Sequence, residues 1–125
     1  MEHNNTVGAA GESFAAQYLR ERGYKILERN HHEKTGEIDI IAQKDGFIVF
    51  AEVKTRKQNS MCSGLEAVNL NKQKKIIKTA LMYIVKNKIT VQPRFDVIEI
   101  YTGTQDEFSV NHIQNAFALE SDDLF

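Results

Sequence analysis

The chain is predicted to fold as an α/β protein with a mixed central sheet and helices on both faces. Apolar periodicity gives the element order α-β-β-β-α-β, with one helix before the strands and one between the third and fourth. If the strands on either side of the second helix are parallel, the helical crossover between them is expected to be right-handed. The two strands around Asp45-Gly46 are apolar on both faces, as expected for strands covered by helices on each side.

Each element has its own signal in the sequence. An apolar stripe at helical spacing predicts the first helix over 7–22, with Thr6 as N-cap and Gly23 just past its end. Strands are predicted at 24–30, 37–43, 47–55 and 94–101, with a polar turn at 31–36 and a polar loop at 57–64. The second helix follows Asn69 and runs to about Lys86, with a predicted buried stripe of Leu70, Ile76 or Ile77, Ala80, Leu81, Ile84 and Val85. A short strand at 108–113 and a turn of helix around 116–119 complete the prediction.

Composition favours one domain. The 125 residues are 42% hydrophobic and 26% charged, which is ordinary for a globular protein. We expect residues 1–119 to form a single domain and 120–125 a frayed acidic tail. The sequence has no apolar run of membrane-spanning length and no signal-peptide pattern. Cys62 is its only cysteine, so no internal disulfide can form. A cytoplasmic location in a reducing compartment is therefore expected, with no membrane partner.

Charge is unevenly distributed along the chain. Residues 54–88 carry nine Lys or Arg against one Glu, whereas residues 1–53 and 89–125 are net acidic. A basic middle segment suits a polyanion such as nucleic acid, although lysines on a solvated helix face produce the same pattern.

The hairpin around Asp45-Gly46 brings charged residues together. A two-residue type I′ turn there makes facing residue numbers sum to 91, so Asp39 faces Glu52 and Glu37 faces Lys54 on one side of the hairpin. Carboxylates this close repel each other unless a cation lies between them or one is protonated. The alternative is a pair of structural ion pairs, Glu37 with Lys54 and Asp39 with Arg56.

These residues resemble a known pattern. Asp39 followed across a hairpin by Glu52-x-Lys54, after an N-terminal helix, resembles the PD-(D/E)XK nuclease superfamily. Within it, the chain closely resembles the YraN-like family of small uncharacterised bacterial proteins and is similar to archaeal Holliday-junction resolvases. The matching segments are Gly8-x-x-Gly11-Glu12-x-x-Ala15, Gly23-Tyr24-x-Ile26-Leu27, Gly36-Glu37-Ile38-Asp39-Ile40-Ile41, Phe50-x-Glu52-Val53-Lys54-Thr55, Glu66-Ala67-Val68, Lys72-Gln73 and Arg94-Phe95-Asp96-Val97. The superfamily's proline before the first aspartate is absent, and His31-His32-Glu33-Lys34 stands where relatives often carry arginines.

The resemblance implies a restriction-endonuclease-like αβββαβ core and a Mg²⁺-dependent endonuclease, with Mn²⁺ able to substitute, acting on structured DNA in repair or recombination. The implied catalytic residues are Asp39, Glu52, Lys54 and Glu12. The implied metal ligands are Asp39, Glu52, Glu12 and the backbone carbonyl of Val53, with Glu37 as a secondary residue. The expected nucleic-acid contacts are Arg56, Lys57, Lys72, Gln73 and Lys75.

Other interpretations stay open at this point. The chain is alternatively a catalytically inactive nucleic-acid-binding module or an interaction scaffold in DNA maintenance. A homodimer is plausible because a junction is nicked on two strands. Asp96 is assigned a structural role because its strand would place it away from Lys54. The pair His31 and His32 either touches substrate or lies on the surface without function.

Overall fold

The computed structural model describes residues 6–57, 68–103 and 107–119 and has the mixed α/β architecture that the sequence predicts. In chain order, the elements are α1 (Thr6–Glu21), β1 (Lys25–Glu33), β2 (Gly36–Lys44), β3 (Phe47–Lys57), α2 (Leu70–Lys86), β4 (Gln92–Thr102) and β5 (Phe108–Phe117). The five strands form a sheet in chain order. The β3–β4 pair is parallel and α2 lies between its strands in sequence, whereas the other neighbours are antiparallel. The predictions for Cys62, Glu66 and the acidic tail lie outside the described residues.

The two helices cover opposite faces of the sheet, as predicted. The α1 face buries Ala15, Ala16, Leu19, Ile40, Ala42, Val49, Ala51, Ile98 and Ile100. The α2 face buries Ile38, Ile41, Ile48, Phe50, Ile76, Ile77, Ala80, Tyr83, Phe95 and Val97. Both layers are apolar, so the central strands are desolvated on each side, and a charged side chain on them requires a partner. In the described part of the chain, no helix is long and apolar enough to cross a bilayer.

α2 has the predicted ends, whereas α1 runs from Thr6 to Glu21, so Thr6 lies within the helix and is not the predicted N-cap. Gly23 has φ +90° and follows α1, where the N–H of Tyr24 bonds to the carbonyl of Leu19. Asn69 is the N-cap of α2, because its side chain accepts a hydrogen bond from the N–H of Lys72. The predicted stripe of α2 is wrong at Leu70 and Val85, which are 69% and 75% exposed.

The β2–β3 hairpin has the predicted turn and register. Asp45 and Gly46 both have positive φ, as a type I′ turn requires, and Ile41 pairs with Phe50. The pairing stops at Ile40, however, and does not continue to the end of β2. The prediction that Glu37 faces Lys54 is therefore wrong: Glu37 is exposed and lies beside His32 on β1.

A kink across β1 and β2 explains why the pairing stops. The predicted polar turn at 31–36 is also wrong in extent, because β1 continues to Glu33. Within it, Asn30 has φ 53°, a left-handed conformation that interrupts the alternation of side chains. Arg29 lies on the α1 face, and the His31 ring makes an edge-to-face contact with Tyr83 of α2.

The same change of face occurs on β2. Ile40 packs beneath α1 and Ile38 packs beneath α2, although residues two apart share a face in a regular strand. The residue between them, Asp39, is opposite Asn30 in the β1–β2 register. The kink therefore turns the Asp39 side chain toward β3.

The last strand is longer than predicted. β5 runs to Phe117, so the turn of helix expected around 116–119 is wrong. The register with β4 shifts between Phe95 and Val97, and Asn115 has φ 54° within the resulting bulge. The carboxylate of Asp96 accepts a hydrogen bond from the N–H of Asn115, which holds the bulge in place.

Candidate active site

Asp39 lies in the space where β2 and β3 separate. Its Oδ2 accepts a hydrogen bond from the backbone N–H of Val53 at 2.8 Å. This contact takes the place of the strand pairing that ends one residue earlier, at Ile40 and Ala51. The aspartate is therefore fixed by the main chain of the strand that carries Glu52 and Lys54.

Glu52 is buried and held by two lysines. Its side chain is 6% exposed, and its Oε2 lies 2.6 Å from Nζ of Lys72 and 3.3 Å from Nζ of Lys54. Lys54 comes from the same strand face, two residues along, as strand alternation dictates. Lys72 comes from the first turn of α2, which runs above this face of the sheet.

The electrostatics of Asp39 differ from those of an ordinary surface carboxylate. Burial, together with the charge of the neighbouring Glu52, raises the pKa of Asp39 from 3.8 to about 7, although the Val53 N–H acts in the opposite direction. The charge of Glu12 raises it further. Asp39 and Glu52 thus lie close enough for their negative charges to repel each other, as the sequence predicts.

The two lysines also influence each other. Burial and the neighbouring Lys72 lower the pKa of Lys54, and Glu52 opposes that change. Burial also acts to lower the pKa of Lys72, but Glu52, Lys54 and Asp39 together outweigh it and raise that pKa. Lys72 is therefore the cation that these carboxylates stabilise most clearly.

Glu12 lies near the pair without joining it. It is on α1, 18% exposed, and its Oε1 is 3.5 Å from Nη2 of Arg29. Its charge still reaches Asp39. Across residues 6–57, 68–103 and 107–119, no three His, Cys, Asp or Glu side chains form a group that could hold a metal ion. The structure thus brings Asp39 and Glu52 together and leaves Glu12 with Arg29.

Cavities lie on both sides of Glu37. One of about 390 Å³ is lined by Gly8, Ala9, Glu12, Asn30 and Glu37. Another of about 400 Å³ is lined by Gly36, Glu37, Asn69, Asn71, Lys72, Lys75 and Ile76. The first cavity is acidic and the second is basic, so an anion would approach the site from the α2 side.

The expected nucleic-acid contacts have different surroundings. Lys57 and Lys75 are exposed, and Lys75 lines the basic cavity. Gln73 donates a hydrogen bond to the carbonyl of Val68 at the start of α2. Arg56 is 16% exposed, and its Nε lies 3.3 Å from Oε2 of Glu99, which places its guanidinium inside the protein.

Sequence reasoning missed Glu99. It is 1% exposed on β4, it pairs with Lys54 in the parallel register, and Asn111 of β5 donates a hydrogen bond to it at 2.7 Å. The available signal was its position two residues after Val97, on a strand face that is otherwise apolar. A carboxylate at such a position requires a partner, and Arg56 and Asn111 are those partners.

The histidines and Asp96 form two further polar clusters. Asp96 is fully buried and contacts Arg94 and His112, each within 3 Å. Burial acts to raise the pKa of Asp96, but hydrogen bonds from His112, Arg94 and Asn115 outweigh it and hold that pKa below its ordinary value. This geometry suits the structural role predicted for Asp96.

His31 is held within β1 rather than left on the surface. Its two ring nitrogens each lie 2.8 Å from a carboxylate, one from Glu28 and one from Glu33. Its neighbour His32 is 67% exposed and lies beside Glu37. Of the pair, His32 is therefore the histidine that faces the solvent near the cavities.

Comparison with known proteins identifies relatives along most of the chain. The model of the uncharacterised protein family UPF0102 matches residues 11–100. A UPF0102 protein of Caldanaerobacter subterraneus subsp. tengcongensis is 49% identical over 118 residues, which cover 92% of this chain and 97% of that protein. UPF0102 proteins of Clostridium botulinum strains Loch Maree and Kyoto are 49% and 47% identical over 119 residues, 93% of this chain and 97% of theirs. The chain therefore belongs to the UPF0102 family, the YraN-like family that its motifs resemble.

Proposed function

We propose that the chain is a Mg²⁺-dependent endonuclease that acts on structured DNA, junction DNA above all, in repair or recombination. The observation that supports this most is the placement of Asp39 and Glu52 in one buried space between separating strands, with Lys54 on the same strand as Glu52. A half-buried carboxylate whose pKa is strongly raised, as at Asp39, is a candidate functional residue. The neighbouring basic cavity gives a polyanion access to both carboxylates.

The donor set fits a magnesium ion. Mg²⁺ prefers oxygen ligands, keeps several waters and is usually held by one or two carboxylates. Asp39 and Glu52 would supply those carboxylates, with the carbonyl of Val53 as a further oxygen and Glu12 as a candidate from α1. Burial and the charge of Glu52 raise the pKa of Asp39, and a divalent ion would offset both effects by favouring the ionised carboxylate. When bound, the ion supplies an activated water and neutralises charge on the phosphate.

The side chains of the chain itself have distinct roles in this proposal. Lys54 donates to the non-bridging phosphate oxygens and stabilises the negative charge that develops there, because a fixed cation in a desolvated site acts strongly. Lys75 and Lys57 hold backbone phosphates without reading sequence. Arg56 and Glu99 keep the end of β3 against β4, so they support Lys54 rather than contact DNA.

The test is a cleavage assay on labelled four-way-junction, flap, duplex and single-stranded DNA with Mg²⁺, Mn²⁺ or EDTA. We expect metal-dependent cutting that is lost in Asp39→Asn and in Glu52→Gln. Lys25→Gln is the matched control, since Lys25 is exposed and pairs with Gln43 beside the hairpin turn, at the other end of β2. Cutting that survives both site substitutions, or that persists in EDTA, would refute the proposal.

A second candidate is a nucleic-acid-binding module without catalysis. It is favoured by the two lysines on Glu52, which neutralise that carboxylate without a metal, and by the separation of Glu12 from the pair. Salt-sensitive binding to every DNA substrate, with no cutting under any metal condition, would support this candidate in place of the first.

A further inference from the structure

Lys72 contacts a carboxylate oxygen that would hold the proposed metal ion. Its Nζ is 2.6 Å from Oε2 of Glu52, closer than Lys54 at 3.3 Å to the same oxygen. Since ammonium and metal ions are both positive, they repel each other at such a distance, and one carboxylate oxygen cannot serve both without a large loss of attraction. A metal ion that binds this oxygen of Glu52 must therefore displace a lysine.

Of the two lysines, Lys72 is the one free to leave. It is 42% exposed and lines the basic cavity, whereas Lys54 is 26% exposed and lies within β3. The lysine stem is long and flexible, so Nζ can move into the cavity without any change in the backbone of α2. Once there, it lies on the side from which phosphate would approach.

From this geometry we propose that Lys72 is a built-in competitor of the metal for Glu52, and that metal binding releases it to contact a phosphate of the substrate. The inference rests on the proposed function and deepens it. In the metal-free protein, Lys72 keeps the buried Glu52 neutralised. In the metal-bound protein, the Lys72 ammonium contacts the nucleic acid instead of Glu52. Metal and polyanion therefore strengthen each other's binding.

The test measures Mn²⁺ affinity directly by titration calorimetry of the full chain, with the metal alone and no DNA. At about pH 8.5, which lies above the raised pKa of Asp39, protons compete less with the metal for that carboxylate. Lys72→Met keeps most of the side-chain length and removes the charge. We expect it to bind Mn²⁺ about tenfold more tightly than the unchanged protein, an effect typical of a neighbouring charge at a partly buried site. Lys78→Met, an exposed lysine on the same helix, is the matched control and is expected to change affinity less than about twofold.

A second variant and a second measurement guard against misfolding. Lys72→Gln keeps a donor toward Glu52 without the charge and is also expected to tighten Mn²⁺ binding. In thermal melts, added Mn²⁺ should raise the unfolding temperature more in Lys72→Met than in the unchanged protein, because tighter binding to the folded state gives more stabilisation.

The outcomes separate this inference from the function on which it rests. Equal or weaker Mn²⁺ binding by both Lys72 variants, with metal-dependent cutting intact in the unchanged protein, would overturn the inference alone. Absence of Mn²⁺ binding in every variant would overturn the proposed function and the inference together. Tighter binding in Lys72→Met and Lys72→Gln, but not in Lys78→Met, would establish the competition.

Discussion

At the residue scale, Asp39 and Glu52 are neighbours, but their carboxylates have different electrostatic environments. Glu52 has two ammonium groups on one oxygen. Asp39 accepts a hydrogen bond from Val53 and faces the negative charge of Glu52. The folded protein is therefore destabilised by the ionised form of Asp39, as is common where a site is arranged for function rather than stability.

This imbalance predicts that Asp39→Asn stabilises the metal-free protein at about pH 8. Asparagine keeps an oxygen for the Val53 N–H and removes the disfavoured charge. The pKa of Asp39 is raised from 3.8 to about 7 on folding, so the contribution of its protonated form is present below about pH 4 and lost as the pH rises through 7. At about 1.4 kcal/mol per pH unit, the difference in unfolding free energy reaches a few kcal/mol.

Thermal melts from about pH 4 to pH 8.5 in EDTA measure this effect, because they span the ordinary and the raised pKa. The matched control is Asp45→Asn, an exposed aspartate whose replacement keeps the Asn-Gly form of the turn. The control is expected to change little at any pH. A variant Asp39→Asn that is less stable than the unchanged protein at about pH 8.5 would contradict the electrostatic account.

Asp96 predicts the opposite pH dependence. Although burial acts to raise its pKa, hydrogen bonds from His112, Arg94 and Asn115 hold it below the ordinary value, so its ionised form stabilises the folded protein. That stabilisation is present above about pH 4 and is lost as the pH falls through the lowered pKa. Asp96→Asn is expected to cost about 3 kcal/mol at neutral pH, since it leaves buried partners without their charge. Urea unfolding at several pH values measures it, and a loss that stays the same down to about pH 2 would refute this reasoning.

At this scale, the sequence predicts the residues that one hairpin brings together and misses those that packing brings together. A two-residue turn and a period of two place Asp39 near Glu52, but the same reasoning wrongly places Glu37 opposite Lys54, because the pairing stops at Ile40. The pairing of Lys72 with Glu52 depends on how α2 lies over the sheet, and the pairing of Arg56 with Glu99 depends on the register of two parallel strands. Neither relation has a local sequence signal.

At the element scale, the close approach of α1 to β3 depends on Gly11. A β-carbon at this position would collide with the hydroxyl of Thr55, whereas one at Gly8 would meet nothing within 4 Å. Gly11 therefore lets α1 pack where Glu12 approaches Asp39. The two glycines lie on the same helix and provide a matched pair of substitutions.

We predict that Gly11→Ala destabilises the protein by about 1–3 kcal/mol, because overpacking displaces the helix or the strand. Gly8→Ala is expected to be neutral or to stabilise by up to about 1 kcal/mol, since alanine favours a helix more than glycine does. Urea unfolding measures both. Adding Thr55→Ala to Gly11→Ala removes the colliding hydroxyl and should restore part of the loss. Equal effects of Gly8→Ala and Gly11→Ala would show that helix propensity alone determines the change in unfolding free energy.

In the strands, hydrophobic periodicity predicts the hairpin register but not the places where side chains change face. The hairpin register was predictable, but the change of face at Asn30 and Asp39 was not, because a left-handed residue inside a strand reverses an alternation that the sequence still displays. The polar end of β1 resembled a turn because His31 and Glu33 are paired with other side chains rather than solvated. The bulge in β5 also interrupts the alternation of side chains, so the sequence did not predict the last part of that strand.

At the scale of the whole molecule, the uneven charge of the sequence becomes an asymmetric surface. Of the nine Lys or Arg in residues 54–88, three lie at the end of β3 and five on α2, beside the basic cavity. The acidic groups Glu12 and Glu37 line the other cavity. Under the proposed function, this division would give nucleic acid one preferred side of approach to Asp39 and Glu52.

The asymmetry predicts how salt and single charges change DNA affinity. In EDTA, where no cutting occurs, binding to duplex DNA should weaken with salt at a slope of about −0.9 per phosphate contacted. Lys75→Glu, in the basic cavity, should weaken binding about tenfold at low salt and reduce the slope by at least about one contact. Lys25→Glu makes the same charge change at the other end of β2 and is the control, with little expected effect. Fluorescence anisotropy over a salt series measures both. If the two variants weaken binding equally, DNA affinity depends on net charge alone, and DNA does not bind at the basic cavity.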